Sequence, residues 1–342
     1  MVAAPPLSPP VDNIVVAREA AGSLRAAIDE GAGQLDRGDV DEAVRTLEGA
    51  RALALDSDSH DTDRAALLFH LGDAELARGA VAEACALLTL ALDVCNRSLE
   101  PCDQLRARIF ERRARCHRHH REWSAARSDV ERALELSESL GDDATIAQAS
   151  LQASIIAERE GQWIMAQFYA ERARELFVNL GDVFGVGRCL NNLGGLAFLL
   201  GRPDDARKQL KESFSILLDL GRDVEAAYAV SSLAQVQLRT GEFEEAERLA
   251  RRAFVFMGSR VDHRIELGNA QLVLGRALLE QGKLDEADET FAQAEHTLDR
   301  AAIGERASVW LAQGESATRR GDTTTAADLY RRAAEALQDF HF

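Results

Sequence analysis

A six-residue pattern recurs along this chain at a nearly constant interval. GDVDEA begins at Gly38, GAVAEA at Gly79, GQWIMA at Gly161, GRPDDA at Gly201, GEFEEA at Gly241, GKLDEA at Gly282 and GDTTTA at Gly321, with REWSAA at Arg121 as the odd member. The successive steps are 41, 42, 40, 40, 40, 41 and 39 residues. A fixed period of this length marks a solenoid of stacked supersecondary units, and it must be recognised before any local motif is read.

Each unit has the same internal order: an apolar helix, a tight turn, and a second helix opened by an acidic or small residue. Seven residues before the turn stands a small residue: Gly72, Ala114, Ser154, Gly194, Ala234, Gly275 or Gly314. Five residues after it alanine is invariant, at Ala43, Ala84, Ala126, Ala166, Ala206, Ala246, Ala287 and Ala326; twelve after it come Ala50, Ala91, Ala133, Ala173, Ser213, Ala253, Ala294 and Ala333. Helices whose axes approach to about 8 to 10 Å have no space for a large side chain at the crossing. These positions are therefore expected to be backbone contact points, with Leu190, Leu193 and Leu210 filling the wider gaps around Gly194 and Ala206. Gly201 is expected to end a helix at positive φ.

Composition agrees with an all-α reading. Ala, Leu, Glu and Arg dominate, and four of the six prolines lie in the first ten residues. Little beyond them opposes helix. The stretch MVAAPPLSPPVDN lacks the basic-then-apolar order of a secretory signal, so residues 1–12 read as a flexible leader. The uncharged segment NNLGGLAFLLG is far shorter than the roughly 20 residues needed to span a bilayer. The odd set of cysteines, Cys85, Cys95, Cys102, Cys116 and Cys189, has no framework spacing and fits reduced thiols of a cytoplasmic protein. A formal charge of −17 argues against broad binding to nucleic acid or anionic membrane.

The small residues at these offsets resemble the tetratricopeptide repeat family, whose eighth, twentieth and twenty-seventh positions they match over roughly residues 20 to 336. The period is near 40 where the family's usual unit has 34, with LGD or LGR at Leu140, Leu180 and Leu220 marking the joins. Six extra residues would add about 9 Å of helix per pair. The longer form is similar to the arrays of bacterial regulators that sense peptides or bind partner domains, and DLYRRAAEALQDF resembles their last repeat. Those regulators carry a helix-turn-helix domain ahead of the array, which is not expected here. The resemblance implies a right-handed α-solenoid of about eight helix-turn-helix repeats, near 20–56, 64–100, 107–140, 147–180, 187–220, 227–260, 268–300 and 307–340.

In the resembling family the first helix of each pair lines an inner groove through positions two, five, six, nine, twelve and thirteen. Mapped onto this chain, those offsets select Arg108, Arg112, Arg115 and His119 in the third repeat, and Arg188, Asn191 and Asn192 in the fifth. Tyr228, Ser231, Gln235 and Arg239 follow in the sixth, and Arg276 in the seventh. Asparagine amides can hold an extended peptide by its backbone, and arginines suit carboxylates or phosphates. RARIFERRARCHRHHR, residues 106–121, holds seven arginines and three histidines. It reads either as a clamp for an acidic partner or as a solvated face paired with Glu122, Asp129 and Glu131.

Other motifs carry less. Cys116 and His120, with His117, His119 and Cys102 nearby, have donor chemistry for zinc but lack its usual spacing, so packing is the expectation and no metal or cofactor is assigned. GVG at 185–187 has no preceding strand and reads as a helix entry. NRS at Asn96 matches a glycosylation sequon that means nothing without secretion. Trp123 and Trp163, in the slot of Phe243, are expected in the inter-helix core. No nucleophile elbow, phosphate loop or catalytic carboxylate pair is found, so no enzyme is expected. The expected function is a protein- or peptide-binding scaffold, or alternatively a peptide-responsive sensor that acts on transcription through a partner.

Overall fold

The computed structural model describes residues 11–56, 60–257, 264–298 and 302–338. Among them the chain is all-α, with sixteen helices and no strand. In order these are α1 (Val11–Arg37), α2 (Val40–Asp56), α3 (Asp61–Ala77), α4 (Val81–Arg97), α5 (Asp103–His119), α6 (Trp123–Leu140), α7 (Asp143–Arg159) and α8 (Trp163–Leu180). There follow α9 (Val183–Leu199), α10 (Pro203–Asp219), α11 (Asp223–Arg239), α12 (Phe243–Met257), α13 (Arg264–Glu280), α14 (Leu284–Thr297), α15 (Ile303–Arg320) and α16 (Thr323–Gln338). Most first helices begin three or four residues ahead of the boundaries expected from the repeat pattern. Asp142 and Asp182 explain two of these starts, since their carboxylates accept from the Thr145 amide at 3.2 Å and the Gly185 amide at 2.8 Å. GVG is thus the first turn of α9. The first helix opens at Val11, inside the stretch read as a leader, and residues 1–10 lie outside the described part.

The chain divides into two compact units, residues 1–160 and 161–342, with the boundary in the turn between α7 and α8. In the first unit α1–α2, α3–α4 and α5–α6 pack as hairpins, each hairpin resting on the next helix. In the second, α9–α10, α11–α12, α13–α14 and α15–α16 repeat the arrangement, and α8 packs on α9. First helices also touch one another, α1–α3, α3–α5 and α5–α7 in one unit and α9–α11, α11–α13 and α13–α15 in the other. Among the described residues no comparable contact joins two second helices. Convergence on one side only means that each stack curves with its odd-numbered helices on the inner face. Each unit is a solenoid segment of this kind.

Small residues make the crossings. Every alanine five residues past a turn is buried, seven of the eight at 0% exposure and Ala326 at 4%. A Cβ built on Gly194 would sit 2.6 Å from Leu210 Cγ and 3.4 Å from the Ala206 carbonyl oxygen, and on Gly72 it would meet Leu88 Cγ at 2.9 Å. A side chain at these glycines would force Leu210 or Leu88 to shift, whereas Ala114, Ser154 and Ala234 fill the same offset in other repeats. Gly31, one unit earlier, faces Leu47 in the same way.

The turns share a second requirement. The Gly201 amide donates to the Phe198 carbonyl at 3.0 Å and the Arg202 amide to Ala197 at 2.8 Å, closing α9 with Gly201 at φ 75°. Arg121 occupies the same place after α5, with the Glu122 amide donating to His117 at 2.9 Å and φ at 61°. It is the one non-glycine residue at positive φ among the described residues.

Candidate ligand-binding face

The inner face of the first unit is built on α3, α5 and α7. Positions one repeat apart come side by side, so Arg112 Nε donates to Asp73 Oδ1 at 2.7 Å across 39 residues, and Arg112 also holds Glu111. Gln152 Nε2 continues the chain of contacts to Glu111 Oε1 at 3.3 Å, and Arg118 Nε donates to Gln152 Oε1 at 3.2 Å. Burial opposes the charge on both Asp73 and Arg112. Their mutual attraction outweighs it, holding the carboxyl below and the guanidinium above its ordinary range. Arg108 lies with its guanidinium 4.6 Å from the centre of the Phe69 ring, and burial followed by repulsion from Arg112 lowers its pKa. Burial, then Arg108, brings His70 down to about 4, so it is neutral near neutral pH.

The arginine stripe read from the sequence therefore separates into two kinds of residue. Arg112 is committed to the fold, because removing it would strand Glu111, which is 1% exposed. Arg108 and Arg115 make no ion pair among the described residues, and the buried Arg115 Nε has no hydrogen-bond partner. His119 is exposed at the end of α5. The other side of the basic segment is paired within its hairpin: Arg113 grips Asp129 through two contacts of 2.7 Å, and His117 Nδ1 meets Glu122 Oε2 at 2.5 Å. Glu122 and Asp129 thus take the pairing expected of them, through Arg113 and His117. Asp73 escaped the sequence reading, although its distance of one period from Arg112 was the signal that could have found it.

In the second unit the selected residues lie on α9, α11 and α13, which touch in sequence. Arg188, Asn191, Asn192, Tyr228 and Arg276 are half-buried, Ser231 is 9% exposed, and Gln235 and Arg239 are open to solvent. Asn191 Oδ1 and Arg276 Nε are buried without a hydrogen-bond partner. Buried side-chain polar atoms in this state number eleven among the described residues, and all but Gln209 Oε1 belong to odd-numbered helices. Arg115 and Arg276 carry theirs at the same offset within the repeat. These atoms themselves have almost no accessible surface, while the side chains of Arg115, Asn191 and Arg276 are otherwise half-buried.

Two other expectations resolve differently. Cys116 is fully buried in an apolar cluster with Cys95 and Cys102, and burial pushes its thiol up to about 12, as packing requires. Among the described residues no group of three or more His, Cys, Asp or Glu side chains is placed to hold a metal ion. Trp163 is not core: it is 40% exposed, beside Ile164, Met165 and Phe168, which are also exposed. It is the first residue of α8, three ahead of the buried Ala166, and a fixed offset from the turn does not ensure cover at a helix end. Trp123 is half-buried, with the Arg159 guanidinium 5.5 Å from its ring. No helix is long and apolar enough to cross a membrane among the described residues.

Solved structures share this architecture. A Rap protein complexed with competence and sporulation factor superposes with a TM-score of 0.66 at 13% identity, covering 93% of this chain and 98% of that one. The apo form of the quorum sensor NprR from B. thuringiensis gives 0.66 at 13% identity, covering 92% and 87%. NprR in complex with its cognate peptide NprX gives 0.68 at 10% identity, covering 90% and 88%. At these identities the likeness establishes the fold alone. No curated protein matches the sequence significantly. Family models described as tetratricopeptide repeat match residues 28–98, 145–219, 227–252 and 272–339, most of the chain. With the period, the small-residue crossings and the stacked hairpins, these matches show that the chain belongs to the tetratricopeptide repeat family.

Proposed function

We propose that this protein is a non-enzymatic binding scaffold that holds a peptide or an extended protein segment against the inner faces of its hairpin stacks. The observation that carries the reading is the half-buried polar and basic lining of the first helices, which converge on one face in each unit. Arg115, Asn191 and Arg276 all stand half-buried at inner-face offsets on first helices, where amide and guanidinium groups can pair with a peptide backbone or side chain. Arg108 and Arg115 add two guanidiniums with no carboxylate of their own, which favours an acidic residue in the bound segment.

A second reading is a peptide-responsive regulator. Its support is that similar folds occur in a Rap conjugation gene regulator in complex with the Phr* peptide and in NprR in complex with NprX. In such a protein a ligand would bias partner binding by its difference in affinity for two shapes of the stack.

Affinity capture from native lysate tests both readings when the bound peptides and proteins are identified by mass spectrometry. The Asn191→Ala, Arg276→Ala double variant is expected to lose the species that the wild type retains, while keeping its helicity. Equal recovery by both proteins would contradict the inner-face assignment.

A further inference from the structure

A second surface lies away from most of these groups, where α9 and α11 begin and α10 and α12 run alongside. Phe184, the second residue of α9, has the Arg222 guanidinium 4.7 Å and the Arg188 guanidinium 5.7 Å from its ring centre. Phe214 on α10 has Arg252 of α12 at 4.4 Å, and the same guanidinium is 5.7 Å from Phe256. The Phe214 and Phe256 rings meet edge to face at 5.8 Å. Phe184 and Phe214 both rest on the small cluster of Leu217, Ala226 and Ala229, so the two cation–aromatic groups are neighbours on one edge of the second unit.

What distinguishes these arginines is what they leave unused. Arg222 and Arg252 are exposed, and their side chains make no hydrogen bond or ion pair among the described residues. Asp223, next in sequence to Arg222, makes no ion pair with it. On the same α12, by contrast, Arg248 is held by Glu245, and Arg251 by Glu247 and Glu286. A guanidinium lying on a ring spends its flat face there, and its in-plane N–H donors stay available. Stacking also restricts the side chain before any ligand arrives, which lowers the ordering cost of binding. Two such forks on one edge match carboxylates, each able to accept two parallel hydrogen bonds.

We propose that this edge, centred on Arg222 and Arg252 and backed by Phe184, Phe214 and Phe256, docks a carboxylate-bearing segment of another protein. A short acidic segment brings few charges to a chain of net charge −17, whereas the continuous phosphate backbone of a nucleic acid is repelled along its whole length. Arg188, an inner-face candidate, reaches the Phe184 ring at the margin of this edge, but Arg222 and Arg252 are not inner-face residues, so the proposal does not depend on that reading.

Fluorescence anisotropy with a labelled oligoglutamate peptide tests the proposal on the full-length protein, with oligoglutamine and a single-stranded oligonucleotide as further probes. Oligoglutamate is expected to bind and to weaken as salt is raised. Arg222→Ala with Arg252→Ala should weaken it about tenfold or more, the loss of two charge-assisted contacts. Arg132→Ala with Arg331→Ala removes equal charge from exposed arginines elsewhere and should leave binding unchanged. Circular dichroism on each variant confirms retained helix. Absence of salt-sensitive oligoglutamate binding would overturn the proposal, as would equal loss in any control variant. So would tighter binding of the oligonucleotide through the same two arginines.

Discussion

Arg121 carries a side chain where the other turns of the series carry glycine, and its φ of 61° places it in the left-handed region. For an L-residue that conformation costs about 1 kcal/mol, so Arg121→Gly is expected to raise the thermal midpoint by a comparable stabilisation. An unchanged or lower midpoint in a calorimetric scan would contradict the strain. The crossings fail in the opposite direction. Ala246→Leu pushes a branched side chain into a site that is 0% exposed and should cost about 1 to 3 kcal/mol in a denaturant titration. These positions were legible in the sequence because each obeys one constraint, backbone proximity, that leaves alanine, glycine or serine at a fixed offset whatever surrounds it. Arg112 was not legible in the same way. Its offset placed it on the inner face, but its commitment to Asp73 and Glu111 depends on side-chain directions in two neighbouring repeats.

At the scale of helices, contacts reaching about one repeat along the chain tie each hairpin to the next. Besides Arg112 and Asp73, Lys283 Nζ meets Glu247 Oε2 at 2.8 Å and Arg320 Nε meets Asp288 Oδ2 at 2.9 Å. Arg112→Ala breaks the most buried of these and leaves Glu111 without its cation. A loss of about 2 to 3 kcal/mol follows, at the lower end for a buried pair because a quarter of the Arg112 side chain still meets solvent. A loss below that of an ordinary surface arginine would refute the keystone role. The contacts also set a response to acid. Burial would raise the Glu247 carboxyl, but Lys283, Gln281 and Arg251 bring it down to about 2. Its folded-state value is below the ordinary 4.5, so its contribution is complete above pH 4.5 and disappears as pH falls through about 2. His70, lowered from 6.5 to about 4, favours the fold above pH 6.5 and loses that contribution by pH 4. Stability is therefore expected to fall in two steps on acidification. His70→Gln should remove the upper one in pH-dependent denaturation curves, and a retained upper step would count against the assignment. Trp163 belongs to this scale too: the turn offset located it correctly along α8, but whether a helix end is covered depends on what surrounds it.

For the whole molecule, the repeat period was the most informative quantity in the sequence, since it fixed helix number, order and the face on which each helix turns inward. The distribution of interactions on that face was not, because a groove position is defined by an offset while its chemistry is defined by neighbours one repeat away. Arg108 and Arg115 stayed without carboxylate partners where Arg112 did not, and the stacked arginines of the second unit had no sequence signal at all. The account rests on the inner helices as the binding surface. Hydrogen–deuterium exchange, measured on the protein alone and with the species it captures from lysate, tests this most directly. Slowed exchange concentrated on odd-numbered helices such as α5, α9, α11 and α13 is the expected result. Protection confined to even-numbered helices, with the inner helices unchanged, would contradict it.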